Sequence, residues 1–388
     1  MREPAAIIGV GCTRVGEHWE SSVLDLAVEA CLRALEDAGN PPVRALYLGN
    51  AASELLNEQG NLAALLADVL ALEGVKAVEV RAGDASGALA FHQACLDVAA
   101  HGPGEGAVLA CGVEKMTDVL APEVERVGML FEDARCTFHS GITIPGLCAL
   151  LTRLYMDAFG PSYEDIVLFA VNDHRNAANN PCAQYPFPIK PETVMGSPIV
   201  ADPVRLFDTP GIGDGAAAAV LCAPEEASKL SDTPVVVRAS EVASGRMNFC
   251  EREDMFSIGS LRAAAQRALE AAGVGIKDVD FFEVHNTTSV VGILALEELG
   301  LAERGEGWHL VVEERIAIGA DWPVNTMGGL KGRGHPWGAT GLYQIVEATW
   351  QLRGEAGKNQ VDGAQVGLTH NMSGLGSISC VHILARGR

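Results

Sequence analysis

Apolar and polar residues alternate along the chain with two different periods. Short apolar segments, such as residues 4–11 and 45–51, have the length of buried strands. Between them, residues 23–39 place apolar side chains with a helical period and end on Gly39, a residue type that favours the end of a helix. This alternation predicts an α/β protein in which helices cover a buried sheet.

The second half of the chain repeats the pattern of the first. Seven of the ten residues in Ala30–Gly39 are identical to those found 234 positions later, in Ala264–Gly273. Two further segments, which begin at Ser86 and Thr340, both open with a hydroxyl residue followed by glycine and continue as apolar helices. A shared alanine-rich composition is the alternative explanation, but the common order of elements favours an internal duplication.

The duplication predicts two halves, residues 1–235 and residues 236–388. Within the first half, residues from about 118 to 186 interrupt the repeat, and clusters of Gly, Pro and Asn flank one helical segment there. Such a composition is typical of solvent-facing connections. We therefore expect an inserted loop domain in this region.

Charge and cysteine usage exclude several classes of function. The 388 residues include 50 acidic and 28 basic side chains, and the formal charge of −22 repels nucleic acids and anionic lipid surfaces. No apolar run approaches the roughly 20 residues of a membrane span, and the first residues resemble a strand instead of a signal peptide, so a cytoplasmic protein is expected. The ten cysteines form no C-x-x-C pair, so neither a disulfide framework nor a metal site is predicted.

Several motifs together carry a family resemblance. Residues 328–341 read GGLKGRGHPWGATG, residues 207–221 read FDTPGIGDGAAAAVL, and residues 108–118 read VLACGVEKMTD. Together with VHNTT at 284–288 and HNMSGLGS at 370–377, these segments resemble the thiolase superfamily, above all its archaeal and sterol-carrier-type members. The resemblance extends over nearly the whole chain.

The resemblance implies a fold, a ligand and partners. It implies the duplicated, five-layered αβαβα thiolase fold with an inserted loop domain, after which the D-G-A-A-A segment is expected as a helix. The substrate would be a coenzyme A thioester, and no permanently bound cofactor is implied. A homodimer is expected, and the aldolases that resemble this branch also suggest a small zinc-ribbon/OB-fold protein as a partner.

The resemblance also places an active site, with one departure from the family. Asp84, in GDASG, stands where thiolases carry a nucleophilic cysteine at the N-terminus of a central helix. The helix dipole favours an ionised carboxylate there, but a carboxylate is a weak nucleophile, and its acyl derivative would be a mixed anhydride, uphill from a thioester. An acyl-enzyme at Asp84 is therefore not expected. The alternative role of Asp84 is a helix N-cap.

The other catalytic groups of the family are present. His335, in GHPWGATG, matches the thiolase histidine that acts as a base, and Asp84 could orient its ring as in hydrolase dyads. His285 would form a first oxyanion hole with His335, and the backbone N–H groups of Asp84 and Gly374 would form a second. The sequence offers no clear general acid.

A second group of residues is expected to contact the acyl-CoA. An equally good alternative for the tyrosine in this group is a role in the core, and Asn325 could serve as a scaffolding hydrogen-bonder. The candidates are His139, Asn286, Asn325, Gly334, Gly338 and Tyr343.

Three functions fit these residues. The first is a lyase that cleaves the carbon–carbon bond next to a CoA thioester in a retro-aldol reaction, with His335 and Asp84 as the base. The second is a thiolase-family acyltransferase with another nucleophile, for which Cys95, Cys111 and Cys136 are the nominal options. The third is a catalytically silent subunit that binds CoA within a complex.

Overall fold

The computed structural model describes residues 3–387. No helix within this range has the length and apolar character needed to cross a membrane. In this part of the chain, nine strands form one large mixed sheet, and two short strands form a separate hairpin. The strands are β1 (Ala5–Cys12), β2 (Val43–Gly49), β3 (Lys76–Val80), β4 (Ala107–Glu114), β5 (Ile199–Ala201), β6 (Val204–Arg205), β7 (Gly215–Cys222), β8 (Val235–Ser244), β9 (Phe281–Glu283), β10 (Val366–Ser373) and β11 (Ile378–Arg386).

The order of strands in the sheet repeats between the two halves. The full order is β3-β2-β4-β7-β1-β8-β11-β10-β9. Counted outward from the centre, β1-β7-β4-β2 corresponds to β8-β11-β10-β9. In both sets the second strand is antiparallel to its neighbours, and the third and fourth run parallel. β1 and β8 pair with each other and join the two sets, so the topology has the internal symmetry that a duplication produces.

Helices lie on both outer faces of the sheet and between its two parts. α1 and α3 pack on the outer face of the first set of strands, α11 and α12 on that of the second, and α4 and α14 lie between the two sets. The helices are α1 (Val23–Asp37), α2 (Ser53–Leu56), α3 (Leu62–Val69), α4 (Ser86–His101), α5 (Ala121–Gly128), α6 (Ile144–Phe159), α7 (Tyr163–Ile166), α8 (Leu168–Ala177), α9 (Pro191–Met195), α10 (Pro224–Leu230), α11 (Gly259–Ala272), α12 (Ser289–Glu298), α13 (Gly307–Val312) and α14 (Thr340–Arg353).

The D-G-A-A-A segment corrects one expectation from the sequence. Its alanines form the strand β7, not a helix, and all eight residues of that strand are buried. β7 lies between β4 and β1, and helices pack against both of its faces. Small side chains let these helices approach closely, so the tertiary context overrides the helical propensity of alanine.

The region between β4 and β7 contains the whole range expected for the loop domain. β4 ends at Glu114 and β7 begins at Gly215, and five helices and the β5–β6 hairpin lie between them. This inserted segment between the two strands is longer than the predicted range of residues 118–186. The boundaries of the loop domain and of the two halves stay predictions.

Glycines allow the two central helices to begin against each other. A Cβ on Gly87, in the first turn of α4, would overlap the carbonyl oxygen of Gly338, and one on Gly341, in the first turn of α14, would lie 2.6 Å from Ala88 Cβ. This close approach brings the turn before α4 next to the loop before α14.

A buried carboxylate anchors the far end of α4. Asp97 accepts hydrogen bonds from Lys76, Arg44 and Tyr47, the last at 2.7 Å. Burial works against the charge of Asp97, but these donors outweigh it and lower the pKa of the carboxyl group to about 2. The charged form is therefore bound more strongly in the folded than in the unfolded chain.

We predict that Asp97→Asn lowers the free energy of unfolding by about 2 kcal/mol at pH 7. Because the folded-state pKa lies below the unfolded one, this contribution is present above pH ~4 and disappears as the pH falls towards 2. Urea denaturation at pH 7 and pH 3 measures both effects, with Asp157→Asn on the exposed face of α6 as the matched control. Equal stability of wild type and Asp97→Asn at pH 7 would contradict this account.

Candidate active site

A cavity of about 480 Å³ lies where the turn before α4 meets the loop before α14. Asp84, His335 and Gly374 line it, together with Thr287 and Thr288. An apolar wall with a few converging polar groups is typical of a small-molecule site. The apolar part of this wall includes Met116, Val124, Phe131, Ile144, Ile212 and Trp337.

The Asp84 side chain is buried but does not cap the helix. α4 begins at Ser86 with Ala85 in the N-cap position, so the alternative prediction that Asp84 is the N-cap is wrong. Ser86 stabilises the turn instead: its Oγ accepts a hydrogen bond from the N–H of Ala82 and donates one to the carbonyl of Gly83. Asp84 is 7% exposed, and its Oδ1 has no hydrogen-bond partner among the described residues. The carboxylate therefore remains available to a ligand.

His335 faces Asp84 with one ring nitrogen and is held by the other. Its Nε2 lies 3.8 Å from Asp84 Oδ2, which is within ion-pair range and too long for a direct hydrogen bond. Its Nδ1 lies 2.8 Å from Thr340 Oγ1, and this hydrogen bond fixes the ring. An oxygen atom about 2.8 Å from each of the two facing atoms could bridge them. The gap therefore suits a substrate hydroxyl group or a water molecule.

A second buried carboxylate holds the loop that carries His335. Glu114, at the end of β4, accepts hydrogen bonds from the backbone N–H groups of Ala51, Ala52 and Gly338 at 2.9–3.0 Å. Burial raises the pKa of Glu114 to about 7, although the three N–H donors favour the charged form. The sequence shows Glu114 only as part of a motif, because its partners lie far away along the chain.

His285 lies beside His335 with its ring nearly perpendicular, and the ring centroids are 5.2 Å apart. Its Nδ1 accepts a hydrogen bond from the Asn371 side-chain amide, so Nε2 carries the proton and donates it to Thr287 Oγ1 at 3.0 Å. Burial lowers the pKa of His285 well below its usual value, and the positive charge of Arg333 adds to this effect. His285 is therefore neutral, and its one N–H is engaged by Thr287, which lines the cavity.

Asp84, His285 and His335 also form a set of three metal-ligand types. Their donor atoms all lie within 4.8 Å of one another. Two ligands of one ion with bonds of about 2.1 Å are usually only about 3–3.5 Å apart, and His285 Nε2 carries a proton in the hydrogen-bond network described above. The arrangement thus fits proton transfer better than metal coordination.

Comparisons with known proteins identify the family. The thiolase N-terminal domain matches residues 5–225, and the thiolase C-terminal domain-like family matches residues 242–386. This chain belongs to the thiolase family. The predicted fold class is thereby confirmed, and CoA thioesters, used without a permanent cofactor, are the substrates of this family.

Relatives cover the whole thiolase chain. It is 43% identical to an acetyl-CoA acetyltransferase of Methanothermobacter thermautotrophicus over 100% of both chains. It is 31% identical to sterol carrier protein 2 of Rattus norvegicus over 98% of this chain and 72% of that protein. Among solved structures, the Ltp2-ChsH2(DUF35) aldolase aligns over 99% of this chain and 98% of its own, with a TM-score of 0.84 and 25% identity.

Two of the predicted CoA contacts lie outside the cavity of this thiolase. His139 is exposed in the loop domain, where its ring rests against Phe138. Tyr343 is buried in α14, and its hydroxyl group donates a hydrogen bond to the carbonyl of Thr13 at 3.0 Å. Tyr343 therefore has the alternative role, in the core, because its one polar atom is already engaged there.

The predicted asparagines form a scaffold behind the cavity. Asn286 donates a hydrogen bond to Asp173 at 2.6 Å and accepts one from Asn325 at 3.0 Å. Asn325 also accepts the N–H of Val284, next to His285. This network positions the His285 loop, and both asparagines are almost fully buried. Their hydrogen bonds leave them a supporting role instead of a direct contact with the ligand.

The two predicted loop glycines also have packing roles. A Cβ on Gly334, where φ is +112°, would approach Val15 within 2.5 Å, and one on Gly338 would lie 2.8 Å from the carboxylate of Glu114. Glycine at these positions lets the His335 loop lie close to Val15, after β1, and to Glu114, at the end of β4. They shape the cavity without lining it.

Sequence reasoning missed Glu132, which lies against Gly374. Gly374 lines the cavity with a φ of +52°, and a Cβ there would overlap Glu132 Oε1. Glu132 is 3% exposed. It lies in the loop domain, 242 residues away from Gly374 along the chain, and no motif marks it. The sequence therefore carries no local signal for this contact.

We predict that Gly374→Ala lowers the free energy of unfolding by about 2–4 kcal/mol, because positive φ and overlap with Glu132 both act against it. Gly39→Ala is the matched control, since Gly39 has a φ of +74° and open space around it. It should cost about 1–2 kcal/mol.

The overlap is tested by repeating the substitution in a Glu132→Ala background. There Gly374→Ala should cost about 1–3 kcal/mol less than in the wild type. Urea denaturation of the four proteins completes the cycle. An unchanged cost would show that the two residues do not touch.

Proposed function

We propose that this thiolase-family protein is a carbon–carbon lyase that cleaves a β-hydroxyacyl-CoA in a retro-aldol reaction, without an acyl-enzyme. The observation that supports this proposal is the geometry of Asp84 and His335. Their facing atoms, 3.8 Å apart, leave room for a substrate hydroxyl oxygen between them. A carboxylate and an imidazole around one hydroxyl group can act as a base, whereas neither forms a useful acyl-enzyme.

The remaining groups suit the charge that develops in such a reaction. His335 would take the proton of the β-hydroxyl group, and the bond between the α- and β-carbons would break to give an aldehyde or ketone and the enolate of a shorter acyl-CoA. The backbone N–H groups of Asp84 and Gly374 would stabilise the enolate oxygen. Thr287 lines the cavity and accepts the Nε2–H of His285 at its Oγ1, so it would offer its own hydroxyl proton to the carbonyl oxygen that forms.

An acyltransferase is the second candidate, because the relative from Methanothermobacter thermautotrophicus is named acetyl-CoA acetyltransferase. This reaction needs a nucleophile near the base. Cys95 and Cys111 are buried in α4 and β4, and burial raises the pKa of Cys95. Cys136 is exposed in the loop domain, and none of the three lines the cavity. These positions favour the lyase.

A catalytically silent subunit is the third candidate. It requires only the thiolase fold and the cavity, and it would bind a CoA thioester without changing it. The three candidates therefore differ in their measurable products. The lyase gives a shorter acyl-CoA and a free carbonyl compound, the acyltransferase gives an acyl group bound to the protein, and the silent subunit gives neither.

The proposal includes two partners. The solved aldolase to which the chain is similar contains a DUF35 protein, and a small protein of this kind is the partner that we propose here. We also propose a homodimer. β3 ends the sheet, and its five residues are partly or fully exposed. Such an unpaired edge can add a strand from a second copy.

We predict that the purified protein cleaves β-hydroxyacyl-CoA thioesters in the absence of free CoA. A panel of β-hydroxyacyl- and β-ketoacyl-CoA compounds, with and without free CoA, would be analysed by mass spectrometry. Asp84→Asn should lower the cleavage rate at least ~100-fold, because it removes the carboxylate that faces His335. Asp157→Asn, exposed on α6, is the control that should leave the rate unchanged.

Asp84→Cys separates the candidates further. It should lose lyase activity and accumulate a protein-bound acyl group, since a thiol at this position becomes a nucleophile at a helix N-terminus. A bound acyl group on the wild-type protein would favour the acyltransferase. CoA binding without turnover by the wild type, alone or with a DUF35 partner, would leave the silent subunit.

A further inference from the structure

Two cysteines that are far apart in the sequence lie in contact in the fold. Cys12 ends β1, and Cys182 lies in the connection between α8 and α9, 170 positions further along the chain. Their Sγ atoms are 3.3 Å apart, and Cys12 donates its S–H to Cys182. A disulfide bond is about 2.05 Å long, so a small approach of the two sulfur atoms is enough to form one.

The two thiols differ in access and in acidity. Cys12 is 4% exposed, whereas Cys182 is partly exposed. The hydrogen bond from Cys12 lowers the pKa of Cys182, and the positive charges of Arg33 and Arg333 add to this effect, while burial and the charge of Glu347 oppose it. The same hydrogen bond and burial raise the pKa of Cys12. Cys182 is therefore the thiol that ionises first, and the thiolate is the form that an oxidant attacks.

A second pair of cysteines has the contact but not the access. Cys31 in α1 and Cys111 in β4 are neighbours, and a hydrogen bond between their side chains raises the pKa of Cys31. Both residues are fully buried, so an oxidant in solvent does not reach either sulfur atom while the chain is folded. The Cys31–Cys111 pair is thus an internal reference for the Cys12–Cys182 pair.

The segment that carries Cys182 also supports the loop of His335. The N–H groups of Gln184 and Tyr185 donate hydrogen bonds, at 2.8 and 3.1 Å, to two backbone carbonyls in the three residues before His335. On its other side, the carbonyl of Cys182 accepts the N–H of Val15, after β1, at 2.9 Å. Tyr185 itself lines the cavity. A covalent bond at Cys182 would therefore restrain a segment that holds the histidine loop and forms part of the cavity wall.

We propose that Cys12 and Cys182 form a reversible oxidation site, at which a hydroperoxide oxidises Cys182 and Cys12 then closes a disulfide with it. The disulfide ties the end of β1 to the segment that supports the His335 loop. It also protects Cys182, because oxidation of a thiol beyond the sulfenic acid is irreversible. This inference is independent of the proposed lyase function, since neither sulfur atom takes part in that reaction.

The oxidation balances with hydrogen peroxide as the co-reactant. The Cys182 thiolate attacks one peroxide oxygen, so that an S–O bond forms, the O–O bond breaks and hydroxide leaves. The Cys12 sulfur then attacks the Cys182 sulfur, the S–O bond breaks, and the proton of Cys12 leaves with the oxygen as water. Hydroxide takes up the proton that Cys182 released on ionisation. The two thiols lose two electrons, and one peroxide is reduced to two molecules of water.

The first test follows the sulfur atoms of the folded protein. The protein is treated with hydrogen peroxide, its free thiols are alkylated, and its peptides are analysed by mass spectrometry. We predict a linked Cys12–Cys182 peptide that a dithiol reductant separates again, and no linked Cys31–Cys111 peptide. Cys12→Ser should leave Cys182 as a sulfenic acid, which dimedone traps, and later as a sulfinic acid that the dithiol does not reverse. Cys31→Ser is the matched control and should form the Cys12–Cys182 disulfide like the wild type.

The second test measures the restraint on the histidine loop. Hydrogen exchange of the Gln184 and Tyr185 amides reports how often their hydrogen bonds to that loop open. In the disulfide form these amides should exchange about 10-fold more slowly than in the reduced form, because the cross-link limits local opening. Peroxide treatment of Cys12→Ser, which cannot form the cross-link, should not slow them.

The outcomes decide the inference without any measurement of catalysis. Free thiols at Cys12 and Cys182, under conditions that oxidise the exposed Cys136 and Cys250, would overturn it. A Cys31–Cys111 link that forms equally fast would also overturn it, since oxidation would then follow unfolding. Unchanged exchange of the two amides in the disulfide form would overturn the restraint on the loop. A protein that turns over no CoA thioester, but forms the Cys12–Cys182 disulfide, would overturn the lyase and support this site.

Discussion

The active site depends on the close contact between the first turns of α4 and α14. Gly87 and Gly341 have no side chains, so the two helices can begin in close contact. Gly87 in α4 lies against the backbone of the loop before α14, and Gly341 in α14 lies against Ala88 of α4. Because both helices are covered by strands on either side, they cannot separate without exposing the centre of the molecule. The turn that carries Asp84 and the loop that carries His335 are therefore held together by packing. Their 3.8 Å separation is a consequence of the core and does not require a direct bond.

Buried acids surround this contact, and their different partners give them different roles. Glu114 has a structural role, since its carboxylate accepts hydrogen bonds from three backbone N–H groups. Within residues 3–387, Asp84 and Glu132 each have one carboxyl oxygen without a hydrogen-bond partner. A buried polar atom without a hydrogen-bond partner lowers the free energy of unfolding by about 1–3 kcal/mol. Asp84 and Glu132 therefore destabilise the fold in a way that Glu114 does not.

Much of the fold could be predicted from the sequence, because periodicity and the repeated segments indicate a duplicated α/β protein. Four separate loop segments predict Asp84, His285, His335 and Gly374 as site residues. The structure brings these segments together: Asp84, His335 and Gly374 line one cavity, and His285 lies beside His335. The helix expected at residues 214–218 was wrong, since burial between two strands outweighs the propensity of alanine. Local patterns also could not separate the residues that line the cavity from those behind it.

Glu132 shows why the remainder could not be predicted. Its relation to the site arises from a glycine 242 residues away and from an inserted segment without a regular pattern. A carboxyl group at position 84 changes the chemistry that the site can offer: a thiolate there would act on a carbonyl carbon, whereas a carboxylate acts on protons. Which other acids can meet a ligand depends on the cavity wall: Glu17 and Glu125 line the cavity, whereas Glu132 lies behind Gly374. A pattern along the chain does not separate these two cases, because the wall is assembled from distant segments.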